Sequence, residues 1–386
     1  MSGSAGPSIL TNGLVFDYDM SNTQKSWKGK PATNTCSFGT YDYGYNSTKI
    51  TNARPPIPPP ITGYPIYKIT SNDGNDSQQI LYTATVDQVN GGTYTHSAYV
   101  YLESGTWVSA GQHWNPWDYG TQQFIPKGVW TRIEDPVTNS PNNYGNIAMC
   151  YNTNGAVYVT ASQYELGSVA SPFITQSNGV RSSTQAILDL TNNNTITVNT
   201  LTYNNDGTFS INNSASSTFN IPDSTLIRPA SVTISAWVNL SVYNPLNDFD
   251  GQFPTIAWKG FDGQSGSQAS YSLTLVTGAF PRLTIAPSVL ISSVAIPTNV
   301  WVNIVGTYTA GGAMVLYRNG EVDTTGTGPT SISYSAQVFG IGTRTFNGAY
   351  QYPWNGSIGM VQLYDRALSA AEVRQNFNAQ RTRYGI

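Results

Sequence analysis

The run Val232–Asn239, V-T-I-S-A-W-V-N, puts Val232, Ile234, Ala236 and Val238 on one face and Thr233, Ser235, Trp237 and Asn239 on the other. This is the period of two of a strand in a sandwich. The same alternation recurs in T-Y-T-H-S-A-Y-V-Y-L (93–102), A-V-Y-V-T-A (156–161), Y-S-L-T-L-V (271–276) and R-L-T-I-A (282–286), with Gly, Pro and Asn clusters between the runs. Short strands punctuated in this way build antiparallel sandwiches. A hairpin is expected to turn on Asn319-Gly320. One helix is expected near the carboxy terminus, where Ser369 and Glu372 form a capping box ahead of Val373 and Phe377, which pack on one side.

A chain of 386 residues is long enough for two or three domains, each with its own core. Charged residues make up 10% of it, against roughly 25% in an average soluble protein, so uncharged polar groups must carry solubility. A net charge of −3 and the absence of a basic run leave nothing to neutralise phosphates, which argues against nucleic-acid binding. The opening M-S-G-S-A-G-P-S-I-L lacks the basic start and apolar stretch of a signal peptide, and no segment approaches membrane-spanning length. Synthesis in a cytosol without membrane insertion is the expectation. Cys36 and Cys150 lie far apart without metal-ligand spacing and are expected to be buried free thiols, with a single disulfide as the alternative.

From Trp301 onward the order is a strand (W-V-N-I-V-G-T-Y), the Asn319-Gly320 hairpin, a strand (W-N-G-S-I-G-M-V-Q-L-Y-D-R-A-L) and the capped helix. It resembles the back half of a concanavalin A-like, laminin-G-type jelly roll. The segment G-L-V-F-D-Y-D-M-S-N (13–22) resembles the opening strand of phage-type laminin-G-like domains. Its usual continuations, D-L-T-N-N-N (189–194) and L-T-Y-N-N-D-G-T-F-S-I (201–211), come only after a long gap. The resemblance therefore implies an all-β fold of two antiparallel β-sandwich (jelly-roll) domains with a short C-terminal helix. Residues 1–28 and 181–386 would form one sandwich, and 29–180 a second inserted into it. Loop-closure entropy permits the insertion, since each doubling of a connection costs only about 0.6 kcal/mol. The ending A-S-Q-Y-E-L-G-S-V-A-S-P-F-I (161–174) resembles the last strand of carbohydrate-binding-module-like jelly rolls of phage virion proteins. Within the insert, R-P-P-I-P-P-P (54–60) must be extended and is expected to be a rigid surface loop.

Laminarinase-type glycoside hydrolases share the concanavalin A-like fold and carry E-x-D-x-E on one strand, because retaining chemistry needs two carboxyl groups roughly 5 Å apart. The glutamates here are Glu103, Glu134, Glu165, Glu321 and Glu372, no two within a strand's length, so the motif is absent. Asp17 with Asp19, and Asp248 with Asp250, have i, i+2 spacing better explained by turns or calcium ligation than by hydrolysis. His96 is in step with Ala98, Val100 and Leu102 and is expected inside the sandwich. With two histidines and no G-x-S-x-G elbow, a nucleophilic triad has no foundation. No catalytic residue is assigned and no cofactor is required. A structural calcium is the one ion the resemblance suggests, with Asp248, Asp250 and Asp262 as candidate ligands.

The best candidate for a recognition surface is W-V-S-A-G-Q-H-W-N-P-W-D-Y (107–119), where Trp107, His113, Trp114, Trp117 and Tyr119 are the glycan-binding candidates, with filling of the sandwich interior as the alternative role of these tryptophans. Sugars present flat C–H faces edged by hydroxyls, which suit aromatic platforms beside polar groups. Tyr350, Tyr352 and Trp354 form a secondary cluster, for which core packing is the favoured account. One tryptophan covering about 100 Å² of sugar contributes near 2.5 kcal/mol, below the ~4.1 kcal/mol of a millimolar complex. Useful binding therefore requires many copies. Together with S-W-K-G-K-P-A-T-N (26–34) and L-Y-D-R-A-L-S-A-A-E-V (363–373), these features are similar to structural proteins of tailed bacteriophages. The resemblance implies a non-enzymatic virion surface protein, a head decoration or fibre or a tail-associated adhesin. Its partners would be other virion proteins, further copies of itself and bacterial surface glycans. A purely architectural cement protein is the competing expectation, and a polysaccharide-acting glycosidase the third.

Overall fold

The computed structural model describes residues 8–20, 26, 28–29, 32–33, 36–44, 47–71, 79–85, 93–105, 108–113, 121–138, 144–149, 155–174, 180–199, 201–203, 209–212, 218–243, 254–260, 269–346 and 349–386. The fold is mostly antiparallel β-sheet with one short C-terminal α-helix, Ala370–Gln380. The chain divides into two compact units, residues 1–30 with 183–386, and residues 31–182. No helix among the described residues is long and apolar enough to cross a membrane.

In the first unit two sheets enclose one core. The first sheet runs Thr202–Tyr203, Phe209–Asn212, Asn355–Tyr364, Val232–Leu240, Trp301–Tyr308, Ala313–Arg318, Glu321–Thr327. The second runs Thr197–Asn199, Thr218–Ile221, Phe339–Ile341, Thr255–Gly260, Ala269–Val276, Phe280–Ile285, Ser288–Ile291. Val232, Ile234, Ala236 and Val238 meet Leu273, Leu283 and Ile341 in the shared interior, all fully buried. The opening strand Leu14–Asp19 pairs antiparallel with Asn355–Tyr364, placing Phe16 opposite Leu363 and Tyr18 opposite Val361. Its inward Phe16 and Tyr18 reach the same core, and Tyr18 lies 4.7 Å from Phe219 between ring centroids.

The two signals for local structure act as their chemistry dictates. Asn319 (φ 50°) and Gly320 (φ 79°) both take the left-handed conformation of a type I′ turn between Ala313–Arg318 and Glu321–Thr327. At the helix start the Ser369 and Glu372 side chains cap each other's backbone N–H groups, and Arg366 grips Glu372 through two bonds of 3.0 and 2.8 Å. That guanidinium, helped by Ser369, lowers the Glu372 carboxyl to about 2. The helix and following turn cover the outer face of the first sheet. There Trp237 stacks on Tyr384 at 4.2 Å and on Phe377 at 5.7 Å, and its indole N–H donates to Gln380 Oε1 at 2.7 Å.

The second unit contains two five-stranded sheets. One runs Trp130–Thr138, Thr93–Ser104, Ala156–Leu166, Tyr67–Ser71, Ser47–Thr51, and the other Cys36–Gly44, Gln79–Thr85, Tyr144–Met149, Val108–His113, Thr121–Gln123. Ala98, Val100 and Leu102 form the core with Ile133, Val157 and Val159. His96, in step with them, is fully buried, edge-on to Tyr164 at 6.0 Å. On the opposite face, Trp130 Nε1 donates to the Ile57 carbonyl at 2.7 Å and so ties the proline-rich segment to the sheet.

Candidate functional site

The sequence-derived aromatic candidates Trp107, Trp114, Trp117 and Tyr119 lie outside the described residues, as do the proposed calcium ligands Asp248, Asp250 and Asp262. His113 ends the strand Val108–His113, opposite Tyr144. Among the described residues no group of three or more His, Cys, Asp or Glu is arranged to hold a metal ion.

The secondary cluster splits. Trp354 is fully buried in the core, its amide donating to Gly342 O at 2.7 Å and its indole N–H to Asn239 O at 3.3 Å, so its ring offers no platform. Packing is the account that applies to it. Tyr350 pairs with Thr345 in a two-stranded ribbon. Tyr352 is half-buried and held at φ 50°, with the Arg344 guanidinium 4.0 Å from its ring centroid. A tyrosine in the left-handed region is uncommon and its strain must be offset by its contacts. The amide of Thr255 donates to the Tyr352 carbonyl at 3.1 Å, which fixes that backbone.

Arg344 leads to the outer face of the second sheet. Its guanidinium also lies 5.3 Å from the Trp258 ring, and it donates to Gln351 Oε1 at 3.1 Å. In register across four strands, Trp258 opposes Ser272, Ser272 opposes Thr284, and Thr284 opposes Val289. One row along, Thr274 opposes Arg282, whose Nε donates to Thr274 Oγ1 at 3.2 Å, and Arg282 opposes Ile291. Directly paired residues share a face, and the alternate residues Leu273, Leu283 and Ile285 fill the core. The outward set is therefore tryptophan, hydroxyls and arginine.

Exposure along this row rises only at the edge strand. Trp258 is 4% exposed, Ser272 0% and Thr284 1%, whereas Val289 on the edge strand is 47% exposed. Burial pushes the Arg282 guanidinium down to about 10, and the nearby charge of Arg344 adds to the effect. Burial also lowers Arg344, which Tyr352 opposes. Trp258 Nε1, Ser272 Oγ, Thr284 Oγ1 and Thr343 Oγ1 are buried without a hydrogen-bond partner among the described residues. An unsatisfied buried hydroxyl costs about 1–3 kcal/mol, so several together on one face require a reason. A polar ligand supplies one.

The glutamates, all among the described residues, have their partners elsewhere. Glu103 pairs with Lys68 at 2.6 Å, Glu165 accepts the Ser171 amide at 2.5 Å, and Glu134 accepts the Ala170 amide at 3.2 Å. Glu321 pairs with Arg374 and Glu372 with Arg366. Asp17 and Asp19 sit on a strand, not in a turn, and are both buried; Asp19 is bound by Arg383.

Parts of the chain are similar to parts or most of three solved structures. The binding domain of Paraclostridial Mosquitocidal Protein 1 is 21% identical with a TM-score of 0.39, over 50% of this chain and 49% of that one. Domain 4 of AbnA, a GH43 extracellular arabinanase from Geobacillus stearothermophilus, in complex with arabinotriose, is 20% identical with a TM-score of 0.37, over 51% of this chain and 93% of that one. The Ruminococcus gnavus IT-sialidase CBM40 bound to α2,3-sialyllactose is 14% identical with a TM-score of 0.36, over 43% of this chain and 94% of that one. The chain thus spans about half the length of the mosquitocidal-protein structure. No curated protein matches it. Residues 212–374 match the model of the concanavalin A-like lectin/glucanases superfamily, to which this part of the chain is similar.

Proposed function

We propose that the protein is a non-enzymatic carbohydrate-binding protein whose lectin-like domain takes glycan on the outer face of its second sheet. The observation that carries this is the Trp258–Ser272–Thr284 row, buried polar atoms without partners among the described residues, beside an aromatic ring and ending at an edge strand. Sugar hydroxyls satisfy such donors and acceptors, and ring faces take the C–H surface. The five glutamates are each held in structural contacts, which supports binding over glycosidic cleavage.

The finer setting is a tailed-phage virion surface, present in many copies, where weak sites gain by multivalency. Its support is the similarity of the 26–34 and 363–373 segments to phage structural proteins. The 107–119 aromatic segment is the second proposed glycan surface, on the inserted domain, with a calcium ion at Asp248, Asp250 and Asp262 as a stabilising element of the outer one.

A glycan array probed with the full chain on a multivalent carrier tests the proposal. Carbohydrate-dependent signal that weakens in Tyr352→Ala or in Trp114→Ala/Trp117→Ala supports it; absence of signal for every glycan rejects it. Antibody labelling of purified particles tests the virion setting, and unlabelled particles reject that part alone.

A further inference from the structure

The second sheet of the first unit ends in the strand Ser288–Ile291, which pairs with Phe280–Ile285 and with no other strand among the described residues. The direction of its backbone groups follows from one bond. The Ser292 amide donates to the Pro281 carbonyl at 2.7 Å, so the even-numbered residues here turn their amides and carbonyls toward Phe280–Ile285. Those of Val289 and Ile291 therefore point out of the sheet's edge. The side chains of these two residues are 47% and 48% exposed, which leaves the edge open. Sheet edges are normally blunted by lysine, proline, a bulge or a covering segment, because open backbone groups beside apolar side chains template strand addition. No such device protects this strand among the described residues: no charged residue occurs between Arg282 and Trp301, and the register from Arg282 opposite Ile291 to Ile285 opposite Ser288 is unbroken. The neighbouring edge strand of the first sheet, Glu321–Thr327, extends the surface. Val322 is exposed on it, and Ser293 Oγ donates to Asp323 Oδ1 at 3.0 Å, which brings the exposed Val294 alongside.

We propose that Ser288–Ile291 is a homodimer contact, in which two copies of the chain pair these edge strands antiparallel about a two-fold axis through Leu290. A second copy is the occupant because the strand is its own complement. Centred on Leu290, Val289 lies opposite the partner subunit's Ile291, and Ile291 opposite the partner subunit's Val289. These are the residues whose backbone groups are open, so each opposed pair exchanges both of its hydrogen bonds. A slip of one residue would set open groups against groups already bonded within the sheet. Directly paired residues share a face, so the Val289 and Ile291 side chains of both copies close into one apolar patch. An arbitrary extended segment would match the backbone alone. The symmetry also separates the acids, since Asp323 lies beside Ser293, beyond the Ile291 end, and each Ile291 end meets the partner's Ser288 end. The strand is four residues long, so the contact is small and its association weak. This pairing does not depend on the carbohydrate reading; together they would place two Trp258–Ser272–Thr284 rows on the same side of one continuous sheet, where a second site raises effective affinity.

The test is sedimentation equilibrium of the full chain from about 1 μM to about 500 μM, the span in which so small an interface associates. A reversible monomer–dimer equilibrium is expected. Val289→Lys and Ile291→Lys, which place charges on both sides of the joint, are each expected to weaken it about tenfold or more, and melting curves establish that each variant is folded. The register is read separately by oxidising an equimolar mixture of Val289→Cys and Ile291→Cys chains. Opposed Cα atoms of a hydrogen-bonded pair lie about 5.5 Å apart, within disulfide reach. The mixture is expected to give more covalent dimer than either variant alone or the wild type, which carries Cys36 and Cys150. A wild type that stays monomeric throughout overturns the proposal without recourse to any variant. So does a dimer that neither lysine variant weakens, an assembly that does not stop at two copies, or cross-linking no greater in the mixture than in its components. None of these measurements requires a sugar, so their failure and the failure of glycan binding are read independently.

Discussion

The Asp189 carboxylate accepts the backbone N–H of Asp17 at 3.0 Å, joining positions 172 residues apart. The same side chain organises its own loop, accepting the Thr191 amide at 3.0 Å and hydroxyl at 2.7 Å and the Asn194 amide at 3.0 Å and side chain at 2.8 Å. Asn194 then donates to the Val15 carbonyl at 2.9 Å. The D-L-T-N-N-N segment thus acts as a clamp that holds the opening strand against the Asn355–Tyr364 strand. Asp189→Ala strips a charge-assisted acceptor from several buried donors and is expected to destabilise the first unit by about 2–4 kcal/mol. Urea denaturation measures it, and a loss below about 0.5 kcal/mol rejects the clamp.

Asp17 gives a pH signature to the same strand. Burial raises its carboxyl to about 8, a hydrogen bond from Gln362 works against that, and the charges of Asp19 and Asp189 add to it. In the unfolded chain the group titrates near the usual 3.8, so above about pH 4 the folded protein holds a proton that the unfolded chain has released. Stability from this group is fully present below that pH and is lost as pH rises through about 8. Melting temperature is expected to fall across this window in the wild type and to fall less in Asp17→Asn. Superimposable pH profiles of the two proteins would show that Asp17 is ionised in the fold.

Lys259 is fully buried, with Nζ 2.6 Å from Asp223 Oδ1 and 3.2 Å from the Ser335 carbonyl, while Arg228 donates to the same carboxylate at 2.9 Å. Removing the anion leaves a buried ammonium with only carbonyl partners, so Asp223→Ala is expected to cost about 3–5 kcal/mol. Lys259→Met removes the buried charge itself and leaves Asp223 with Arg228, and the cost is expected to be smaller by at least about 1 kcal/mol. Chemical denaturation of both variants decides the order. The reverse order would mean that Arg228, not Lys259, governs this site.

The period-two runs made the all-β fold and the inner face legible, because Val232, Ile234, Ala236 and Val238 need only alternation to be placed. The opposite face was not legible at Trp237. Grouped with Thr233, Ser235 and Asn239 it reads as the solvent side, yet it is covered by Phe377 and Tyr384 from the chain's end, and no local pattern announces a partner so distant in sequence. The site has the same character. Tyr352 stands out in Y-Q-Y-P-W, but Trp258, Ser272, Thr284 and Arg282 come from three strands and meet only through register. A one-residue slip in any of those pairings would turn the row inward, so spacing along the chain carries no trace of it. Neither arginine is marked by its neighbours in sequence, and the buried cation pair emerges only when Arg344 is folded back over Trp258.

Thr284 and Ser272 separate a binding role from a packing role by a difference in sign. Their hydroxyl oxygens are buried and without partners among the described residues, so a purely structural interior would prefer apolar groups of the same shape. Thr284→Val preserves the branched outline and removes the unsatisfied oxygen, and Ser272→Ala does the same for a smaller side chain. Each is expected to leave stability unchanged or to raise it by up to about 1 kcal/mol. Both are expected to weaken glycan binding by about fivefold or more, because each removes a hydrogen bond worth on the order of 1 kcal/mol to a ligand. Paired melting and titration experiments read both quantities on the same preparations. A variant that loses stability would show that its hydroxyl is engaged by the fold, and one that gains stability with glycan affinity intact would show that the row does not face the sugar.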